Sequence, residues 1–100
     1  MISGPFAPRY GAGQTVSTST SSGTTTIGLG SKCLCFQNLD STNTIHFRVS
    51  QGSSTATTAD TMLRPNQVLI IQKDQQHDTV AHIAVAGTPS LRIEPGEAGI

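Results

Sequence analysis

The sequence predicts an all-β protein: an antiparallel β-sandwich or jelly-roll-like domain with an extended N-terminal arm. Three observations predict it. Ser and Thr supply a quarter of the 100 residues, while Glu and Lys, usual helix builders, are scarce. β-Branched side chains fit a pleated surface and lose rotamer freedom in a helix. Apolar runs of strand length recur roughly every 10–12 residues between Gly, Pro, Asn and Asp clusters, the rhythm of a sandwich. Residues 44–50 (TIHFRVS) alternate apolar and polar side chains, the period of a half-buried strand. A chain this short forms one domain and buries roughly two-thirds of its unfolded surface.

Residues 1–13 read as an arm, and 14–100 as a single β-sandwich domain. The arm, MISGPFAPRYGAG, carries two prolines and three glycines and shows no alternation. It nevertheless holds Ile2, Phe6 and Tyr10, more apolar and aromatic character than a disordered leader has. Two short strands, 15–20 and 24–29, follow around Ser21-Ser22-Gly23. Val16 and Ile27 are nearly their only apolar anchors, which places them at a sheet edge or a subunit contact.

The core begins at 32–38 (KCLCFQN), apolar on both faces and so expected to be a central, covered strand. Asp40-Ser41-Thr42-Asn43 supplies turn chemistry. The next strand, 44–50, turns Ile45, Phe47 and Val49 inward and His46 and Arg48 outward. The two strands are expected to form a hairpin. Residues 51–60 are a polar connection or weak strand. Pro65-Asn66 turns into 67–72 (QVLIIQ), the most apolar run, which reads as a buried strand. A polar turn at 73–78 leads to the strand 79–86, and the last strand covers 90–94 before the tail PGEAGI.

Composition narrows the function classes. Net charge is zero, and Arg9, Arg48, Arg64 and Arg92 are dispersed. Gripping nucleic acid needs clustered cations against the phosphates, so direct nucleic-acid binding is not expected. Neither a membrane-spanning apolar run nor a secretory leader is read, and synthesis in a reducing cytoplasm is expected. Cys33 and Cys35, two apart on a strand, lie about 6.5–7 Å from each other on one face. That separation is poor for a disulfide, so both are expected to be reduced, small apolar fillers.

No catalytic constellation emerges. No Ser occupies a G-x-S-x-G elbow. Cys33, Cys35, His46 and His82 would make a zinc site only if their strands and faces converged; the plainer reading is two buried thiols and two solvent- or interface-facing imidazoles. His77-Asp78 reads as a solvated turn, and Glu94 and Glu97 lie in the tail. Sugar-binding modules stack ligands on exposed aromatics, yet there is no Trp and one Tyr. The chain is therefore read as non-catalytic, without cofactor or metal.

Several segments occur in a suggestive order. The strand ending Cys35-Phe36-Gln37-Asn38 precedes Ala56-Thr57-Thr58-Ala59-Asp60-Thr61-Met62-Leu63-Arg64-Pro65. His82-Ile83-Ala84-Val85 follows, and the chain closes with Thr88-Pro89-Ser90-Leu91-Arg92-Ile93-Glu94-Pro95-Gly96-Glu97-Ala98-Gly99. Over roughly 35–99 this layout resembles small β-sandwich virion proteins of tailed bacteriophages, of the capsid decoration or cement type. The ending departs from theirs by one residue after Thr88 and one before Gly99. The resemblance implies a structural protein on the outer capsid surface, assembled in the host cytoplasm. It would bridge major capsid subunits as a trimer or dimer and be pinned by its arm. Ile2, Phe6, Arg9 and Tyr10 are the expected partner-binding anchors. A tail, neck or fibre-base component is the alternative virion role. A free β-sandwich module binding a glycan or cell-surface ligand is the alternative outside the virion.

Overall fold

A computed structural model describes residues 6–8, 11–27 and 31–98. Among these residues, nine strands form two antiparallel sheets: β1 (Phe6–Pro8), β2 (Gln14–Ser17), β3 (Gly23–Thr26), β4 (Cys33–Asn38), β5 (Ile45–Ser50), β6 (Thr61–Leu63), β7 (Val68–Gln72), β8 (Thr79–Ala84) and β9 (Ser90–Ala98). One sheet runs β1-β9-β4-β7, with β2 also paired to β9; the other runs β3-β8-β5-β6. β1 and β2 lie end to end along the same edge of β9, so each layer is effectively four strands wide.

The pairing has a simple logic. β2 pairs with β9, β3 with β8, β4 with β7 and β5 with β6. The chain is thus one long two-stranded ribbon, its tip at residues 51–60. Rolling that ribbon adds the β4–β9 and β5–β8 ladders and closes two layers over one core. This is the jelly-roll form of the expected sandwich. Leu34, Phe36, Leu91 and Ile93 from the first sheet meet Ile45, Phe47, Leu63 and Val80 from the second. Ile27 is buried among them, and Val16 packs against the cluster.

Three expectations change. The strands at 32–38 and 44–50 do not form a hairpin. They lie in opposite sheets and meet face to face, with the Phe36 and Phe47 rings stacked at 4.0 Å between centroids. Asn38 explains the crossing. Its Nδ2 donates to the Asn43 and Leu63 carbonyls, and its Oδ1 accepts from the Asp40 N–H. These bonds fold the connection over the end of the sandwich.

The run at 67–72 is not a buried strand. β7 is the edge of its sheet, with Leu69 and Ile71 against the core but Val68 54% and Ile70 38% exposed. Apolar residues on both faces of a strand do not reveal whether both faces are covered.

The last strand runs past 94 to Ala98, through Pro95. Leu39 N–H bonds to Ser90 O, and Lys32 N–H to Gly96 O, so even-numbered peptide groups of β9 face β4. Alternation turns the Pro95 nitrogen towards β1 and β2. Pro8 pairs with Gly96 and Gln14 with Ile93, so Pro95 falls in the gap between those two strands. The missing N–H therefore costs no ladder bond.

Residues 51–60 are the polar connection rather than the weak strand, and they are held down as a strap. Ala56 is 2% exposed, and its N–H donates to Ser22 Oγ at 2.8 Å, at the start of β3. Ser50 and Ser54 hydroxyls bond at the near end, and the Gly52 N–H reaches the Asp78 carboxylate. The strap crosses the outer face of the second sheet, where Ala81 is fully buried.

Candidate interaction surface

Of the four expected anchors, Ile2, Arg9 and Tyr10 lie outside the described residues. Phe6 starts β1, whose backbone pairs with the last strand: Phe6 with Ala98, Ala7 with Glu97 and Pro8 with Gly96. The root of the arm is thus a strand added to the edge of the first sheet.

The groups considered for metal or catalytic chemistry are dispersed. Cys33 and Cys35 are free thiols on the outer face of the first sheet. Burial, aided by the Glu94 carboxylate opposite, pushes the Cys35 thiol up, which disfavours the reactive thiolate. His46 lies on the outer face of the second sheet, and His82 faces inward between the layers. The four side chains cannot converge.

His46 and His82, expected to face solvent or an interface, are both buried within the chain, each 5% exposed. His46 lies beside the strap, and its Nδ1 donates to the Asp60 carbonyl, which fixes the proton on that nitrogen. His82 stands directly opposite Phe47 in the β5–β8 register and opposite Gly23 on β3. Gly23 leaves the room it occupies: a Cβ there would sit 3.0 Å from His82 Cε1. Thr25 Oγ1 meets its Nε2 at 3.0 Å, while Nδ1 has no partner among the described residues. Burial holds its pKa below the ordinary value of 6.5.

The carboxylates serve turns. Asp60 accepts the Thr57 N–H and the Arg48 guanidinium; these bonds, the backbone one foremost, hold its pKa below the usual carboxylate range. Asp78 accepts the Gly52 N–H and the Thr79 hydroxyl and is lowered for that reason. Among the described residues no group of three or more His, Cys, Asp or Glu could hold a metal ion.

An exposed apolar stripe is present that the sequence reading missed. Gln37 pairs with Val68 and Cys35 with Ile70, so these side chains share the outer face of the first sheet. Alternation carries Leu39, 46% exposed, onto the same face. Leu39, Val68 and Ile70 make an apolar stripe along the β4–β7 side. An open depression lined by Lys32, Cys33, Gln72, Lys73, Asp74 and Gln75 ends it. The sequence signal was the apolar richness of 67–72, which fits a covered strand and an exposed edge equally well.

The chain matches no family model, no curated protein and no solved structure.

Proposed function

We propose that this chain is a non-catalytic structural protein of a phage virion, a decoration or cement protein on the outer capsid surface that bridges major capsid subunits. The observation that carries this reading is the anchorage of the arm. Main-chain pairing of Phe6–Pro8 to Gly96–Ala98 ties the arm to the sheet edge, beside the end that carries the loops at 51–60 and 73–78. Strand addition draws its affinity from the backbone, so it works with the bland Ala, Pro and Gly side chains present there. Ile2, Phe6, Arg9 and Tyr10 would then engage the shell.

Two further features support the reading. The residues carrying the resemblance build the jelly roll: Asn38 locks a loop crossing, Ala56 and Asp60 hold the strap, and Leu63 fills the core. Capsid domains commonly use this architecture, although lectin domains and cupins use it too, so the fold alone does not choose. A neutral, hydroxyl-rich surface also suits a repeated outer coat, where modest contacts gain strength from multivalency.

Quantitative mass spectrometry of purified particles tests the proposal. A decoration protein fills every equivalent joint and is expected on the order of hundreds of copies per particle. A dozen or fewer would move it to the tail, neck or fibre base. Absence from particles, with specific binding on a glycan array, would replace the virion role with a free binding module. Deleting residues 2–12 spares β2 and should abolish shell attachment while leaving cooperative unfolding. Full occupancy by the truncated chain would exclude the arm as the anchor.

A further inference from the structure

We propose that residues 19–26 form a flap over His82, and that protonation of the buried ring releases it. This stands independently of the virion role.

The flap is held at its two ends and bland between them. Thr18, 1% exposed, donates both its N–H and its hydroxyl to the Pro89 carbonyl. Ile27 is buried in the core, and its N–H donates to the Asp78 carbonyl. The segment between, STSSGTTT, carries neither an apolar nor a charged side chain. β3 is the edge of its sheet and binds β8 chiefly through the main chain. Ile27 N–H meets Asp78 O and Ala84 N–H meets Ser19 O, so even-numbered peptide groups of β8 face the flap. A segment with so little apolar burial opens more readily than the domain unfolds.

Beneath it lies an imidazole with no place for a second proton. His82 stands between Gly23 of β3 and Phe47 of β5. In the tautomer that leaves no buried N–H unbonded, Nε2 donates to Thr25 Oγ1 and Nδ1, which has no partner, keeps its lone pair. Protonation puts an unpaired N–H and a full charge between the layers.

Among the described residues no opposite charge faces that site. β3 turns Gly23 and Thr25 to the ring, β5 turns Phe47, and the facing layer is apolar. Arg48, Asp60 and His46 lie on the outer face of the second sheet. Arg92, Glu94, Cys33 and Cys35 lie on the outer face of the first. Asp40 is engaged within its own turn, and Arg64 is exposed beyond β6. Lys32, Lys73, Asp74, His77, Asp78 and Glu97 stand at the opposite end. Burial accordingly keeps the ring neutral below its ordinary pKa of 6.5 while the flap is closed.

Relief comes at β3, because β5 is paired on both sides and Phe47 is stacked on Phe36. Gly23 lies against the ring: a Cβ there would sit 3.0 Å from Cε1 and 3.5 Å from Nδ1. Outward movement of the flap therefore brings water to Nδ1. The same movement withdraws Ser22 Oγ from the Ala56 N–H and loosens the strap.

Hydrogen exchange of the full chain, followed by NMR from about pH 7.5 to pH 5, tests this. Opening takes up one proton, so protection factors at the Val80 and His82 amides should fall below pH 6.5 by up to tenfold per pH unit. Ala56 should follow, while β4 and the β5 amides keep their protection. His82→Gln should remove the pH dependence. Wild-type protection that is flat with pH would overturn the proposal. So would a fall of the same factor at β4 and β5, which means global unfolding, or an unchanged slope in H82Q. The two wild-type readouts decide the matter even where the variant fails to fold.

Discussion

Asn38 carries more of the architecture than any other polar side chain. It is fully buried, uses both donor protons and its acceptor, and ties the 39–44 connection to the end of β6. Asn38→Ala would strand two buried carbonyls and an N–H. The expected loss is roughly 2–3 kcal/mol, read from urea midpoints. A change under about 0.5 kcal/mol would show that the crossing holds without it. His82 is the second such residue. Its folded pKa is depressed, so the folded state prefers the neutral ring and the unfolded chain binds a proton first as pH falls. The stability held by the neutral ring is complete above pH 6.5 and drains away as pH drops towards the folded value. Urea midpoints should therefore fall between pH 7 and pH 5, and His82→Gln should flatten that part of the curve. An unchanged slope in the variant would place the proton uptake elsewhere.

At the scale of elements, the strap and the β7 edge show opposite treatments of exposed β-structure. The strap shields the outer face of the second sheet, and small residues make that possible: Ala56 and Ala81 are both buried there. The Ala56 N–H to Ser22 Oγ contact ties it to the residue just before β3. Ser22→Ala is expected to cost about 1 kcal/mol. It should speed hydrogen exchange at Ala56 and its neighbours while β5 and β8 amides keep their protection. Uniform acceleration would mean that the strap opens only with the whole domain. The Arg48–Asp60 pair at 2.9 Å contributes less, because Arg48 is exposed and screened. β7, by contrast, is left at the edge of its sheet with Val68 and Ile70 exposed among the described residues.

The whole molecule is a rolled ribbon whose first and last strands are neighbours. Such pairings close long loops before they gain contacts, so folding is expected in roughly milliseconds to seconds by stopped-flow. The two layers are joined chiefly by apolar packing, with the Phe36–Phe47 stack bridging them. Phe36→Ala should cost about 3–5 kcal/mol. Total stability for a domain of this kind is about 5–15 kcal/mol, so the variant should sit near its unfolding threshold at 37 °C. Thermal unfolding by circular dichroism would show this as a large fall in Tm. A fall of only a few degrees would mean that the layers hold without the stack.

The sequence by itself determined the all-β class, the approximate position of most strands and the inward face of β5. These follow from local propensity and period-two alternation, which are properties of a segment alone. It also placed the region of β2 and β3 at a sheet edge or a subunit contact, because Val16 and Ile27 offer little to bury, and the structure has both at edges. Only the tertiary structure decided which strands pair and which faces are covered. Alternation says that Phe36 and Phe47 point inward but not that they come from opposite sheets, since a hairpin satisfies the same pattern. It marks His82 as polar without showing that Gly23 opposite leaves space for an imidazole. It makes 67–72 apolar on both faces without saying that one face and one edge remain open. Pairing partners and coverage depend on contacts far apart in sequence. The exposed apolar edge at β7 is therefore one that no local pattern could distinguish from a buried strand.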